Sequence, residues 1–553
     1  MSGLEASAAG VSVAVDGDAA TAASAAAKAL AEDGVPAKLA AGDPTLWGPD
    51  ARAEAEIRLG WLNLPRSSRE LLPRLEALSA RVRDDGLDHV VLAGMGGSSL
   101  APEVITATAR VDLTVLDTTD PAQTRRALAD RPRRTVVVVS SKSGGTVETD
   151  SHLRIYEQAF RDLGLTDEQI ARRIVVVTDP GSPLDATARE RGYDVVLADP
   201  NVGGRYSALT AFGLVPSALA GVNVAALLDD AAAVAPSLAA GPSANPALLL
   251  GAALGGYAVD GGHDKIVIAA PLAGDGGCDI NGFGDWAEQL IAESTGKQGR
   301  GLLPVVVEGP AADGFRAADD VHRVALGHPA DCDTVVSGPL GAQFLVWEYA
   351  TAVAGRLLGI DPFNQPNVQE SKDNTTKLLR SAGDGPLSDE RPTLTDGAVE
   401  VYGPAGLLAG ASDLRGVFDV LLGAIPDTGY LAVMAYLDRV GEPDAASLRE
   451  LLAGRTGRPV TYGWGPRFLH STGQYHKGGP QRGVFCQLTG AVTDDIAVPG
   501  RPYTLGRLQM AQALGDNGAL RGRGRPVVRL HLTDRERGLA QVLTAARREV
   551  EDG

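Results

Sequence analysis

A chain of 553 residues, 44% apolar and 22% charged, is long enough for two or three globular domains with sizeable cores. Its net charge of −18 excludes the basic field that nucleic-acid backbones need, so an anionic ligand must be drawn by local positive groups. Three scattered cysteines (Cys278, Cys332 and Cys486) form no CxxC pair, which argues against a disulfide framework or zinc site and predicts buried, reduced thiols.

The N-terminus is acidic and lacks a basic n-region, so no secretory signal is expected. Residues 1–87 read as a largely helical, Ala-rich cap, broken where Gly42, Pro44, Gly48 and Pro49 cluster. From residue 88 strands and helices alternate, with strands at 89–93, 113–117, 135–140, 174–178 and 194–198. Runs of Val without polar alternation predict strands buried on both faces, hence a parallel sheet flanked by helices. Residues 205–240 read as bridging helices. The most apolar stretch, Ala247 to Val259, is shorter than the roughly 20 residues of a membrane span and rich in Gly. A cytoplasmic location is expected.

A second alternation begins at 265–269 and continues through 302–307, 333–336, 430–436, 459–463, 484–489 and 527–532. The polar stretch 382–396 reads as an exposed loop or insertion, and the chain end as an amphipathic helix. The fold class is α/β, with two doubly wound units meeting at a cleft by their carboxyl strand ends. The predicted division is 1–87, 88–240 and 241–553.

Two strands in the first unit stop at Gly/Ser-rich turns that open helices: GMGGSS at 94–99 and SSKSGGT at 140–146. Backbone N–H groups and hydroxyls at a helix N-terminus suit a phosphate, and two such turns at neighbouring strands suggest an anion between them. GMGGSS lacks the third glycine of the dinucleotide fingerprint, and neither turn has the G-K-[ST] ending of a Walker loop. Arg205, after two glycines in NVGGRYS, can aim a guanidinium into a cleft. Glu293 falls in the last turn of a helix, where the dipole disfavours a carboxylate and raises its proton affinity, as suits a general base or acid. Lys372 follows the turn FNQPNVQES, and His470 stands in HSTGQ beside hydroxyl and amide groups. His476 and Lys477, just beyond, read as solvated.

Together GMGGSS, SSKSGGTVET, GGRYS, ESTGK, NQPNVQESK and HSTGQ resemble the glucose-6-phosphate isomerase family, built from two sugar-isomerase (SIS) domains. The resemblance implies reversible conversion of glucose 6-phosphate to fructose 6-phosphate, without metal or organic cofactor, by a homodimer with a shared active site. It implies Glu293 as the base between carbons 1 and 2, with Gln289 beside the substrate. Arg205 would face the reacting carbons, and Lys372 and His470 would assist ring opening. Ser98, Ser141, Lys142, Ser143 and Thr146 would bind the sugar phosphate, with Ser143 and Thr146 as direct donors, and Gln365 would contact sugar or phosphate. In bacterial members the histidine motif precedes the lysine motif. Here it follows, so the second domain has a rearranged order and His322 or His476 remain alternatives. SKSGGT also carries a glycine pair where many relatives have larger residues. The alternatives are an SIS-type isomerase for mannose 6-phosphate or an amino-sugar phosphate, and a non-catalytic sugar-phosphate sensor.

Overall fold

The computed structural model describes residues 3–269, 280–316, 318–327, 331–383 and 385–548. Cys278 and His328 lie outside them. Five strands of the first unit, β3–β7 (His89–Gly94, Thr114–Leu116, Thr135–Ser140, Ile174–Thr178 and Asp194–Leu197), form an all-parallel sheet of order β4-β3-β5-β6-β7. Val136 to Val139 are fully buried, as an unbroken apolar run between two helical layers requires.

The other strands divide between two six-stranded sheets. One has order β1-β2-β11-β10-β8-β9, from β1 (Leu4–Ala8), β2 (Val11–Val15), β8 (Lys265–Ala269), β9 (Leu303–Val307), β10 (Val321–Leu326) and β11 (Thr334–Ser337). The next has order β12-β13-β17-β16-β14-β15, from β12 (Leu394–Asp396), β13 (Val399–Tyr402), β14 (Tyr430–Tyr436), β15 (Val460–Trp464), β16 (Gly483–Gly490) and β17 (Val527–Leu532). Each has a parallel four-stranded core edged by an antiparallel pair. Val267, Val305, Tyr430, Met434 and Phe485 belong to one apolar core between the two sheets.

The architecture is mixed α/β with parallel sheets flanked by helices. Every strand read from Val-rich runs is present, while β1, β2, β10, β12 and β13 were not anticipated. β2 pairs antiparallel with β11, so the N-terminal stretch read as a helical cap opens with a hairpin that extends the second sheet. The Ala/Gly bias serves close helix packing. A methyl at Gly251 of the helix Pro246–Gly261 would come 2.7 Å from the carbonyl of Ala350, and one at Gly256 would come 2.8 Å from Cβ of Ala26. Cys332 and Cys486 are buried free thiols. Among the described residues, no helix is long and apolar enough to cross a membrane.

Candidate active site

β3 and β5 are neighbours, and the chain leaves β3 in opposite directions to reach β4 and β5, so their carboxyl ends bracket a switch point. From β5 the chain turns through 140–146 into the helix Val147–Asp162. A cavity of about 300 Å³ opens there, lined by Ser143, Thr146, Glu148, Lys372, His470 and Gln512 among others. The hydroxyls of Ser141 and Thr146 lie 2.9 Å apart, and Ser143 Oγ accepts the Gly145 N–H at 3.3 Å.

Lys142 departs from the expected cradle. Its Nζ donates to Asp179 at 2.7 Å and reaches the carbonyls of Asp199 and Pro200, and it does not line the cavity. Burial pushes its ammonium below the ordinary value and the Asp179 carboxyl above its own, in spite of their pairing. Ser98 is buried beside Gly94, and neither it nor Ser141 lines the cavity.

Glu293 lies in the last turn of the helix Phe283–Thr295 and is 7% exposed. The unfavourable helix end is offset by Arg205, whose Nη1 is 3.3 Å from Oε1, while Gln289 Nε2 donates to Oε2 at 3.1 Å. Gln289 Nε2 also donates to the His470 carbonyl at 2.8 Å. The Arg205 guanidinium is held on every side: Nε donates to Ser294, Nη1 to Gln365 Oε1 at 2.7 Å, and Nη2 to the carbonyls of Pro362 and Asn364. A fork fixed this way loses little conformational freedom when it meets charge.

Further bonds stitch distant motifs together. Lys297 of ESTGK donates to the carbonyls of Asp361 and Asn364 and to the Asn364 side chain. Gln474 of HSTGQ donates to the Gly296 carbonyl and to Asn367 Oδ1, and accepts the Asn367 N–H. GMGGSS closes the assembly by lacking side chains. A methyl on Gly97 would lie 2.0 Å from the Gly204 carbonyl oxygen, and one on Gly96, whose φ is +55°, would meet Gln289 and His470.

His470 lies 3.3 Å from Glu148 Oε1, which also accepts from Gln512 at 2.6 Å. Burial alone would push the Glu148 carboxyl up. His470, the backbone and Lys372 outweigh it and hold the group down at about 2. The alternative histidines are elsewhere. His322 bonds Thr334 within its sheet, and His476 is packed among Tyr430, Phe468 and Phe485; burial holds His322 at about 4 and His476 well below its ordinary value. The solvated reading of His476 and Lys477 is corrected: both are buried, and Lys477 pairs with Asp516 at 2.7 Å. Within one chain, Gln289 holds the His470 backbone and the His470 side chain lines the cavity. Glu148 and Gln512 were missed. Glu148 carried a signal, an acid two residues after the hydroxyl-rich segment and in the first turn of its helix, whereas Gln512 carried none.

Parallel α/β sheets thus carry, at their carboxyl ends, a hydroxyl-lined turn that shares a cavity with His470. Residues 80–298 match the family model described as phosphoglucose isomerase. The chain is 30% identical over 384 residues to the glucose-6-phosphate isomerase of Rubrobacter xylanophilus, covering 57% of this chain and 87% of that one. It is 29% identical over 395 residues to a probable glucose-6-phosphate isomerase of Haloarcula marismortui, covering 59% and 88%. A solved glucose-6-phosphate isomerase from Chlamydia trachomatis shares the fold, with TM-score 0.54, 17% identity and coverage of 69% and 90%. The chain belongs to the glucose-6-phosphate isomerase family.

Proposed function

We propose that this chain interconverts glucose 6-phosphate and fructose 6-phosphate, a step of glycolysis and gluconeogenesis, by ring opening and proton transfer through a cis-enediolate. The observation that carries it is the buried Glu293 carboxylate, clamped by Arg205 and by a Gln289 that also holds the backbone of His470; the His470 side chain lines the hydroxyl-lined cavity, whereas Glu293, Arg205, Gln289 and Gln365 do not. Ser143 and Thr146 anchor the phosphate, which takes no part in bond changes but turns remote binding into orientation. His470 and Lys372 serve ring opening. The imidazole moves the proton between the anomeric hydroxyl and the ring oxygen, and the ammonium favours the charge developing there.

In the open chain, Glu293 removes the proton from carbon 2, and electrons flow onto the carbonyl oxygen to give the enediolate. The same carboxyl returns the proton to carbon 1, while the hydroxyl proton on carbon 2 passes to the oxygen of carbon 1. Arg205, fixed before the charge appears, stabilises the enediolate oxygens at little reorganisation cost. Gln289 and Gln365 orient the sugar. Ser98, Ser141 and Lys142 support the turns rather than the ligand. A homodimeric, cytoplasmic enzyme goes with this chemistry, as does a boundary near residue 88 between the N-terminal stretch and the first sugar-isomerase domain and another near 240.

An assay in both directions, with mannose 6-phosphate in parallel, tests the activity. Glu293→Gln should lower kcat by about 10²–10⁴-fold and leave sugar-phosphate binding within a few-fold. Equal losses of binding and turnover would remove Glu293 from the base role. Binding without turnover in the wild type would make the protein a sensor.

A further inference from the structure

A larger cavity, of about 540 Å³, lies in the C-terminal sheet and plays no part in the chemistry above. Its size is ordinary for a small-molecule site, and its place is where such sites form. From β14 the chain goes to β15 on one side and then to β16 on the other. The cavity is lined from the carboxyl ends of β14 and β16 by Tyr436, Thr489 and Gly490, and from β17 by Arg529 and His531. This is a second switch point, in a sheet that holds neither Glu293 nor the phosphate turn.

Arg529 is 5% exposed, yet among the described residues no carboxylate forms an ion pair with it, and Glu390 acts on it only at longer range. One face of its guanidinium lies 3.8 Å from the Tyr402 ring centroid, Nη1 makes a long 3.5 Å bond to Thr489, and its buried Nε has no partner. Among the described residues, the buried Tyr436 hydroxyl likewise has no partner. A buried cation without a counter-ion is costly unless something completes it. The acids of the wall are engaged elsewhere: Glu390 with Arg521, Glu400 with the Tyr402 hydroxyl, and Asp495 with Thr504 and the Ile496 and Gly506 amides. Those carboxylates can still accept hydroxyl protons. An anionic head at Arg529 and a hydroxylated body along the acids would satisfy both.

We propose that this cavity is a second ligand site, for a small hydroxylated anion whose phosphate or carboxylate head pairs with Arg529. The helix Leu505–Gly522 runs past both cavities: Arg507 and Met510 line this one, and Leu508 and Gln512 line the catalytic one, where Gln512 holds Glu148.

The test uses the full chain carrying Ser143→Ala and Thr146→Ala, which weakens the catalytic phosphate turn; binding is read directly, independent of isomerase activity, and hydrogen exchange separates the two sites. Titration calorimetry with glycerol 3-phosphate and, in a separate arm, glycerate should show one site in at least one arm. Which arm binds names the head group. Arg529→Met should weaken that binding 10-fold or more. Met510→Trp, which fills the cavity without touching the buried charge, should abolish it. Hydrogen exchange with ligand present should protect residues 505–510 and 527–531. No binding in either arm, binding indifferent to both substitutions, or protection confined to 143–148 would overturn the proposal.

Discussion

The two Gly/Ser turns of the first unit look interchangeable as sequence, and the fold uses them in opposite ways. In GMGGSS the glycines are needed for what they lack. The turn is pressed against the Gly204 backbone on one side and against Gln289 and His470 on the other, which leaves no room for Cβ atoms. In SSKSGGT the hydroxyls matter; Gly144, at φ +68°, is packed against the Leu184 backbone and Ser182, and Gly145 is the glycine that leaves space. A methyl on Gly145 would find nothing nearer than Ser143 Oγ at 3.9 Å, and Ser143 and Thr146 line the cavity. One turn therefore docks the catalytic motifs on each other, while the other is free to hold an anion. A turn rich in glycine is a phosphate site only where its amides and hydroxyls face open space.

Gly97→Ala should have the largest effect. Its methyl would lie 2.0 Å from a carbonyl oxygen with backbone on both sides, so the motifs must separate. Overpacking of this kind costs about 1–3 kcal/mol or more, and activity should fall by about 100-fold with a lower melting temperature. A fully active Gly97→Ala enzyme would break the comparison.

Ser143→Ala and Thr146→Ala together should raise KM about 10-fold or more, with kcat much less affected. Hydrogen bonds to a charged group are worth about 1.5–3 kcal/mol each. An unchanged KM would take both hydroxyls out of phosphate binding.

Glu148→Gln comes next and concerns stability against pH. The folded carboxyl is held at about 2, below its ordinary 4.5, so its contribution is fully present above about 4.5 and is lost as the pH falls toward 2. A depression of that size corresponds to about 3 kcal/mol. Chemical denaturation from pH 7 to pH 3 should show a shallower acid loss in the variant. Parallel curves would mean that His470 does not hold this group.

Lys142→Met and Gly145→Ala should do least. Lys142 lies on Asp179, away from the cavity, so KM for the sugar phosphate should change less than 3-fold in the assay that reads the Ser143 and Thr146 variants. A KM rise as large as theirs would return Lys142 to the cradle.

Much of the fold was legible because strands buried on both faces must be continuous apolar runs. Val136 to Val139 and Tyr430 to Tyr436 leave no other reading. Edge strands obey no such rule. Leu394–Asp396 and the partly exposed Leu4–Ala8 sit at sheet borders, where polar residues are tolerated and the pattern fades. The histidine question also yielded only to coordinates. His322, His470 and His476 are equivalent as letters, yet one is bonded within a sheet, one lines the cavity, and one is enclosed by aromatic rings.

By itself the sequence determined the parallel α/β architecture and the residue types at the site, because periodicity and short motifs are local properties of the chain. Tertiary structure alone decided which like-looking groups share a cavity. Lys142 turns to Asp179, and Glu148 meets His470 and Gln512 from a segment hundreds of residues away in the chain. Such pairings depend on how sheets and helices pack, and no local pattern encodes a contact across that span.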